Sequence, residues 1–376
     1  MGYTVLARRY RSTSFDEVVG QEAIARTLKA AIEQDRVAHA YLFCGTRGVG
    51  KTSMARIFAK ALNRADEHPE VARAIMSGQD TDVIEIDAAS NTGVDHARDL
   101  IANANYLPMR GPYKVYIIDE VHMLSTAAFN ALLKTMEEPP EHVKFVLCTT
   151  EPHKVPATIQ SRCQRFDFRN IPVTLIAAHL GSVIEQEGLE AEPELVHEIA
   201  RLGNGSMRDA LSLLDRVIAA GEKKLTLALL EDLLGLPDRR LMSTLIDAIA
   251  GGDVPAVLQA ADQLISRGSG PDLFLESLTE RLRDLMVLSA CGPKTDLVEL
   301  SDAMREEEAA RAGKFDTAAL VHMIAICDAV QRMLRTSAAP KALVEAALVR
   351  LALSDRFADA AALAVAGSEE VSRKKH

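Results

Sequence analysis

The chain has 376 residues, of which 48% are hydrophobic and 26% are charged, and its formal net charge at pH 7 is −10. Because this length exceeds what one ordinary hydrophobic core supports, two or three domains are expected, and the composition is typical of a soluble globular protein. The negative net charge and an aromatic content of 4% argue against a protein that coats nucleic acid over its whole surface or stacks bases on broad aromatic faces.

Cysteine spacing and hydropathy predict the cellular compartment. No two of the five cysteines are close in sequence, which indicates reduced thiols rather than disulfides or a zinc site. No apolar run looks long enough to cross a bilayer, and the basic N-terminal segment is not followed by the apolar core of a secretory signal. The sequence therefore predicts a cytoplasmic protein that does not insert into a membrane.

The first 38 residues combine a basic, aromatic segment with a helical pattern. Residues 3–11 are rich in arginine and tyrosine, and residues 21–34 have the apolar spacing of an amphipathic helix. Two interpretations stay open for this region. It is either an arm that packs on the following domain or a cover for the adenine and ribose of a nucleotide.

A phosphate-binding motif, G-x-x-x-x-G-K-[ST], follows the short apolar run 41–44 and precedes a helical pattern. Glycines in such a loop let successive backbone N–H groups point at phosphate oxygens, and the positive end of the following helix points there too. Lys51 is predicted to reach the outer phosphates, and the Thr52 hydroxyl is predicted to bind Mg²⁺. The sequence thus predicts a nucleoside triphosphate site made of Gly45, Thr46, Arg47, Gly48, Val49, Gly50, Lys51, Thr52 and Ser53.

Short apolar runs alternate with helical patterns beyond this loop. Further strands are predicted at residues 83–87, 115–120, 145–149 and 166–168, and helices at residues 95–104 and 126–136. Together with the run before the phosphate-binding loop, these strands predict an α/β domain with a doubly wound parallel sheet of five strands.

Two adjacent carboxylates, Asp119 and Glu120, end the predicted strand at residues 115–120. Ligands of α/β sheets bind at the carboxyl ends of the strands, so both side chains are predicted to face the nucleotide. Asp119 is predicted to hold Mg²⁺, and Glu120 to orient and polarise the attacking water. Paired carboxylates are common in turns, but the position of this pair favours the catalytic interpretation.

Three other positions carry weaker local signals. Thr149 and Thr150 end the next strand. A hydroxyl there has two possible roles: it contacts the γ-phosphate or the attacking water, or it caps the strand. Arg208 follows Ser206 in the first turn of a predicted helix, where a cation opposes the helix dipole, so either an anion lies nearby or Arg208 is a surface residue. Nothing local distinguishes Arg162 from a surface charge.

The pattern is wholly helical after Pro172, and it predicts the domain organisation. A nucleotide-binding domain is predicted over residues 1–171, a small helical domain over residues 172–237, and an all-α packing or oligomerisation domain over residues 238–366. Residues 367–376 are polar and basic and are predicted to be a disordered tail.

Short motifs spread over the first two thirds of the chain are typical of one protein family. Besides the phosphate-binding loop they read ARRYR, VVGQE, HAYLF, IDAAS, YIIDEVHML, FNALLK, EEPP, SRC and GSMRDAL. From Tyr3 to about Leu236 the chain resembles the AAA+ ATPases and, more narrowly, the gamma/tau family of clamp-loader ATPases of bacterial DNA polymerase III. The resemblance identifies the helical regions as a lid and a collar.

The resemblance implies roles for residues that local patterns leave open. Arg162, in the SRC motif, would be an arginine finger that reaches the ATP of a neighbouring subunit, a contribution that can raise rates by orders of magnitude. Thr150 would be the sensor-1 residue, and Arg208 the sensor-2 arginine of the lid. The base and ribose would be lined by Arg11, Val18 and Val19.

The resemblance also implies an assembly and a reaction. The chain would be an ATP-hydrolysing, Mg²⁺-dependent motor in a pentameric hetero-oligomer, part of a DNA-directed DNA polymerase holoenzyme, that opens the sliding clamp and loads it onto primer-template DNA during replication. Its partners would include delta-type and delta-prime-type subunits. The alternatives are a non-hydrolysing, delta-prime-like scaffold subunit of the same loader, or another AAA+ DNA-remodelling ATPase such as a branch-migration motor.

The sequence departs from the family in two internal places. Relatives usually carry four zinc-binding cysteines after the phosphate-loop helix, whereas residues 63–79 contain only His68 of the usual zinc ligands, so no zinc is predicted. Near residue 90 the family often places basic residues that face DNA, and this chain offers Asn91, Thr92 and Arg98 as contacts to DNA phosphates. The polymerase- and helicase-binding extension of the long family members is also missing, as expected for a short product or a trimmed piece.

Overall fold

A computed structural model describes residues 4–90, 102–266, 270–295, 297–300, 302–334 and 336–354. Their contacts form two compact units, Met1–Glu190 with Val196–Lys223, and Ala191–Leu195 with Lys224–His376. The predicted DNA contacts Asn91, Thr92 and Arg98, the tail 367–376 and most of the helix predicted at residues 95–104 lie outside the described residues. The domain boundaries after residues 171, 237 and 366 stay a prediction.

The first unit is built on the parallel five-stranded sheet that the sequence predicts. Its strand order is β2-β3-β4-β1-β5, and each predicted strand is present with its ends shifted by two residues at most. Nearly every residue of the three central strands is buried, as expected for a parallel sheet covered on both faces. The strands are β1 (Ala40–Cys44), β2 (Val83–Asp87), β3 (Lys114–Asp119), β4 (Val143–Thr149) and β5 (Gln164–Asp167).

Helices cover both faces of this sheet. Because side chains alternate along a strand, Tyr41 and Phe43 pack into one hydrophobic cluster while Leu42 packs into another on the opposite face. The first cluster includes Phe58 of α3, and the second includes Phe129 of α5. Among the described residues before residue 224, the helices are α1 (Leu6–Arg9), α2 (Glu22–Glu33), α3 (Lys51–Leu62), α4 (Pro69–Ser77), α5 (Thr126–Glu137), α6 (Ala157–Gln160), α7 (Val173–Gln186), α8 (Pro193–Leu202) and α9 (Met207–Ile218).

Two helix starts are fixed by capping serines. The Ser125 hydroxyl accepts the N–H of Ala128 at the start of α5, and the Ser206 hydroxyl accepts the N–H of Asp209 at the start of α9. Each such cap satisfies one backbone donor that the first turn of a helix leaves without a partner. The predicted cap at Ser206 thereby determines where α9 begins.

The described part of the second unit is almost entirely helical, which agrees with the all-α prediction. Leucines at helical spacing in α13, among them Leu278, Leu282 and Leu285, form its core together with Leu320 of α15. A short ladder pairs β6 (Glu190–Ala191) with β7 (Lys224–Leu225). The helices are α10 (Leu227–Leu234), α11 (Arg239–Ala250), α12 (Val254–Ser266), α13 (Pro271–Cys291), α14 (Asp302–Ala312), α15 (Thr317–Leu334) and α16 (Pro340–Ala352).

The expectation that no apolar run is long enough to cross a bilayer is wrong for α15. By length and composition alone, this helix of 18 residues could span a membrane. One such helix is weak evidence, since core helices of soluble proteins pass the same test. Leu320, Met323, Cys327 and Val330 of α15 are buried in the helical core, so we interpret α15 as a core helix.

Candidate active site

The sheet topology brings three separate chain segments to one edge. Strand β4 lies between β3 and β1, and Thr149 at the end of β4 pairs with Cys44 at the end of β1. The phosphate-binding loop follows β1, Asp119 ends β3, and Thr150 follows β4. The carboxyl ends of neighbouring parallel strands are where α/β sheets bind ligands, so the fold assembles the predicted site residues there.

Lys51 begins α3 and is only 6% exposed. Its ammonium donates to the carbonyl oxygens of Gly45 at 2.8 Å and Thr46 at 2.7 Å. Burial lowers the pKa of Lys51, and the negative charges of Glu120 and Asp119 are among the groups that oppose this shift. The loop therefore holds a cation where the phosphates of a nucleotide are predicted to bind.

Gly48 is where the loop meets the first turn of α9. Its φ of +78° lies in the left-handed region that glycine adopts without strain. A Cβ atom added there would lie 1.8 Å from the Ser206 hydroxyl oxygen, and the N–H of Arg208 points at the Gly48 carbonyl oxygen at 3.5 Å. Only glycine permits this approach, which sets α9 directly against the loop.

A cavity of about 410 Å³ opens above the phosphate-binding loop. Its size falls in the range of small-molecule sites. Most of the predicted nucleotide contacts line it, namely Arg11, Val18, Val19, Arg47, Gly48, Val49, Gly50, Lys51, Thr52, Ser53, Asp119, Glu120 and Arg208. Gly45 and Thr46 contribute the carbonyl oxygens that hold Lys51, and the Thr46 hydroxyl donates to Asn170 at 2.6 Å.

Several residues of the cavity wall were not predicted from the sequence. Tyr10 lies in a basic segment whose role was open, while His179 and Leu211 belong to helical patterns that were assigned to packing. The helical spacing of Met207 and Leu211 could have indicated a shared face of α9, but not what that face contacts. Burial lowers the pKa of His179, so its imidazole is neutral at pH 7.

Positive charge is concentrated around Arg11. Burial lowers the pKa of Arg11, and the positive charges of Arg56 and Arg208 lower it further, while Glu85 opposes them. Arg56 is paired with Glu85 at 2.6 Å, whereas Arg11, Lys51 and Arg208 all line the cavity, where a bound anion would offset their mutual repulsion. The electrostatics of this cavity therefore suit a polyphosphate.

Thr52 and Asp119 place two oxygen ligands side by side. The Thr52 hydroxyl donates to Asp119 Oδ2 at 2.6 Å. Burial raises the pKa of Asp119, although the hydrogen bonds from Thr52 and from the Glu120 N–H oppose this shift. A partly buried carboxylate beside a hydroxyl fits Mg²⁺, which binds proteins through one or two such groups and takes its other ligands from phosphates and water.

Neutralising Asp119 should stabilise the nucleotide-free protein. Because the folded-state pKa of Asp119 is raised, its ionisation opposes folding, and this cost appears as pH rises through the folded-state pKa. Asp119→Asn should increase the free energy of unfolding at pH 7 by about 1 kcal/mol, and the gain should vanish below the ordinary aspartate pKa of about 3.9. Urea unfolding in EDTA at several pH values measures this difference.

The matched control is Asp87→Asn at the end of the neighbouring strand β2. Asp87 is exposed and accepts hydrogen bonds from the Ala89 N–H and the Ser90 hydroxyl, so its replacement should not stabilise the fold. Equal stability of Asp119→Asn and the wild type at pH 7 would contradict the burial argument. Adding Mg²⁺ and ATP should raise the free energy of unfolding of the wild type more than that of Asp119→Asn.

Glu120 is held in an unusual backbone conformation at the cavity wall. Its φ of +47° is left-handed, which is uncommon for a residue with a side chain and which clusters at functional sites. The Thr150 hydroxyl donates to Glu120 Oε2 at 3.0 Å. The structure thus brings Thr150 to the predicted catalytic carboxylate, although Thr150 is not among the residues lining the cavity.

Arg162 lies outside this cavity. It follows α6, and its guanidinium donates to the Thr158 carbonyl oxygen at 2.7 Å and to Glu137 Oε1 at 2.6 Å. Both side chains of this ion pair are partly exposed. A catalytic role for Arg162 would therefore require the site of a neighbouring subunit.

The part of the chain that the structure describes contains no group of three or more His, Cys, Asp or Glu side chains that could hold a metal ion. The Thr52–Asp119 pair supplies two protein oxygen ligands. The predicted absence of zinc stays a prediction.

Three family models match consecutive parts of the chain. The model described as DNA polymerase III, delta subunit, matches residues 20–172. The clamp-loader ATPase lid domain matches residues 175–223, and domain III of DNA polymerase III subunits gamma and tau matches residues 225–364.

Similar sequences cover most of the chain. DNA polymerase III subunit tau of Bacillus subtilis is 40% identical over 366 residues, which are 93% of this chain and 63% of that relative. The tau subunit of Escherichia coli K12 is 43% identical over 81% of this chain and 49% of its own length. The gamma subunit of Buchnera aphidicola is 38% identical over 77% of this chain and 81% of its own length.

Similar solved structures are more distant. The Thermotoga maritima RuvB Holliday junction branch migration motor is 21% identical, with a TM-score of 0.47 over 63% of this chain and 78% of its own. The Bacillus subtilis clamp loader delta protein is 14% identical, with a TM-score of 0.38 over 87% of this chain and 99% of its own. The strand order and the buried central strands described above are sufficient to identify the first unit as a parallel α/β domain.

Proposed function

The chain belongs to the gamma/tau family of DNA polymerase III subunits, and from this premise we propose that it is an ATP-hydrolysing motor subunit of a bacterial clamp loader. It works in the cytoplasm as part of a pentameric hetero-oligomer with delta-type and delta-prime-type subunits. ATP binding assembles a state that opens the sliding clamp, and contact with primer-template DNA triggers hydrolysis and release. The convergence of Lys51, Thr52, Asp119 and Glu120 on one cavity carries this proposal.

Nucleotide binding uses the phosphate-binding loop and the walls around it. The backbone N–H groups of the loop and of the first turn of α3 donate to the phosphate oxygens, and Lys51 exchanges its carbonyl partners for phosphate oxygens. Arg11, Val18 and Val19 contact the base and ribose, and Arg208 places a cation over the phosphates from the start of α9. Because α9 already touches the loop at Gly48, a bound nucleotide stabilises this arrangement.

Hydrolysis depends on the residues that bind Mg²⁺ and on those that orient the attacking water. Thr52 and Asp119 hold Mg²⁺, which neutralises charge on the phosphates when it is bound. Glu120 orients the attacking water and accepts its proton, while Thr150 holds the Glu120 carboxylate at 3.0 Å. Arg162 of one subunit completes the site of the next.

Contact with DNA is proposed at backbone phosphates only. Asn91, Thr92 and Arg98, which lie outside the described residues, are the proposed contacts. Phosphate contacts carry no sequence information, which suits a loader that acts at any primed site.

ATP turnover by the purified chain, alone and then with delta-type and delta-prime-type subunits, clamp and primed DNA, tests the proposal. Strong stimulation by the complete mixture is expected. The scaffold alternative predicts no turnover in any mixture, and it is less well supported because all four residues of the hydrolytic set are present. A branch-migration motor would translocate on duplex DNA without any dependence on the clamp.

Lys51→Ala should weaken ATP binding by roughly 100-fold or more, because each hydrogen bond to a charged phosphate is worth about 1.5–3 kcal/mol. Titration of the isolated chain with a fluorescent ATP analogue measures this change. Lys60→Ala is the matched control, since Lys60 lies on the same helix, is 8% exposed against 6% for Lys51, and pairs with Asp66 at 2.6 Å. Unchanged affinity in Lys51→Ala would remove Lys51 from the nucleotide site.

A further inference from the structure

A ring of polar contacts surrounds His122 beside the predicted catalytic carboxylate. The His122 side chain is 6% exposed and lies in the 3-10 turn Val121–Met123 that follows Glu120. Its Nδ1 is 3.0 Å from the Thr149 hydroxyl oxygen, and its Nε2 is 3.1 Å from Glu151 Oε2. The N–H of Glu151 donates back to the Thr149 hydroxyl oxygen at 3.0 Å.

The chemistry of the partners assigns the hydrogens of this ring. An ionised Glu151 carboxylate can only accept, so Nε2 of His122 carries the hydrogen. In the neutral imidazole Nδ1 is then an acceptor, and the Thr149 hydroxyl donates to it while accepting from the Glu151 N–H. Two hydrogen bonds meet at the Thr149 hydroxyl, and Nε2 of His122 lies within ion-pair distance of the Glu151 carboxylate, so these contacts hold both ends of the segment 149–151 against His122.

The residue inside that segment is Thr150, which donates to Glu120 Oε2 at 3.0 Å. With Thr149 and Glu151 both held by His122, the Thr150 backbone has little freedom to turn its hydroxyl away. Nδ1 of His122 lies 3.5 Å from Glu120 Oε2, farther than the 3.0 Å that separates it from the Thr149 hydroxyl oxygen. The effect of His122 on Glu120 therefore passes through Thr150.

We propose that His122 is a positioning residue for hydrolysis, which locks the segment 149–151 so that the Thr150 hydroxyl orients the Glu120 carboxylate toward the attacking water. This inference rests on the proposed function, because it concerns the same carboxylate. It adds a residue that is not among those lining the cavity. Small displacements of a catalytic group are costly, so a loosened segment should lower turnover more than binding.

A cycle of variants tests whether His122 acts through Thr150. In the assembled loader with clamp and primed DNA, His122→Ala and Thr150→Val should each lower kcat by roughly 10- to 100-fold with KM for ATP nearly unchanged. The double variant should be no slower than Thr150→Val alone, within about twofold, because both changes remove the same interaction. The proposal would be overturned if the double variant lost kcat by the product of the two single losses, or if ATP affinity fell as much as kcat.

His142→Ala is the matched control. His142 is also partly buried in the first unit, and its Nε2 contacts the Ala104 carbonyl oxygen at 3.1 Å rather than the segment 149–151. Its replacement should leave kcat unchanged in loaders whose subunits all remain folded by circular dichroism. A loss of kcat in His142→Ala as large as that in His122→Ala would show that truncation of any half-buried histidine slows the enzyme, and would overturn the proposal.

A crystal structure of the full chain carrying His122→Ala separates this inference from the proposed function. We expect the Thr150 hydroxyl to move beyond hydrogen-bond distance of Glu120 Oε2. If it stays near 3.0 Å, the positioning role is wrong even when the loader hydrolyses ATP. If the loader does not hydrolyse ATP at all, the proposed function fails, while the structure still decides whether His122 holds the segment 149–151.

Discussion

Arg162→Ala should lower ATP turnover of the assembled loader by roughly 10³- to 10⁵-fold, the range that an arginine finger supplied by a neighbouring subunit contributes to phosphoryl transfer. ATP binding by the isolated chain should be unchanged, because Arg162 does not line the cavity of its own chain. The guanidinium would act only where it reaches the charge that develops on the neighbour's γ-phosphate.

The contacts of Arg162 within one chain are compatible with this role. Its pair with Glu137 is partly exposed on both sides, and such surface pairs are worth about 0.2–1 kcal/mol. A phosphate offers two charge-assisted hydrogen bonds in a drier site and can compete successfully with that partner. The contacts of Arg162 with Glu137 and with the Thr158 carbonyl oxygen thus cost little to exchange for a phosphate.

Steady-state ATPase assays of reconstituted loaders measure the effect of Arg162→Ala, with ATP titration of the isolated chain beside them. Arg165→Ala is the control, because Arg165 is an exposed arginine nearby that pairs with Asp167 at 2.8 Å on β5. Loss of ATP binding in the isolated Arg162→Ala chain would show that Arg162 acts within its own subunit. Full turnover of the assembled variant would remove Arg162 from catalysis.

Glu120→Gln should lower kcat by roughly 10²- to 10⁴-fold, the usual contribution of a positioned general base. The amide keeps the size of the side chain and can still accept the Thr150 hydroxyl, but it cannot take a proton from water. Lys51, Thr52 and Asp119 remain in place, so the affinity for ATP should be nearly unchanged. The variant should therefore bind ATP and remain in the ATP-bound state.

Single-turnover hydrolysis together with ATP titration separates the two effects of Glu120→Gln. Glu33→Gln is the control, since Glu33 is exposed at the end of α2 and does not line the cavity. Normal turnover in Glu120→Gln would exclude Glu120 as the base. Equal losses in binding and turnover would instead indicate a general disturbance of the site.

Local patterns in the amino-acid sequence were sufficient to predict the sheet, its strands and the catalytic residues at its edge. A buried parallel strand is a run of apolar residues, and a phosphate-binding loop needs its glycines, lysine and threonine at set spacings, so both are visible without a partner segment. This is why β1, β3 and the set Lys51, Thr52, Asp119 and Glu120 could be predicted. Short helices such as α4, which has nine residues, could not, because helices of this length depend on tertiary packing for their stability.

Contacts between distant segments were decided by the tertiary structure. No spacing rule relates Gly48 to Ser206, or Tyr10 and His179 to the phosphate-binding loop, because these residues lie on elements that are far apart in the sequence. The contacts of His122 with Thr149 and Glu151 likewise depend on β3 and β4 being neighbours in the sheet. Sequence patterns report which face of an element is apolar, whereas the groups that meet across two elements are determined by how those elements pack.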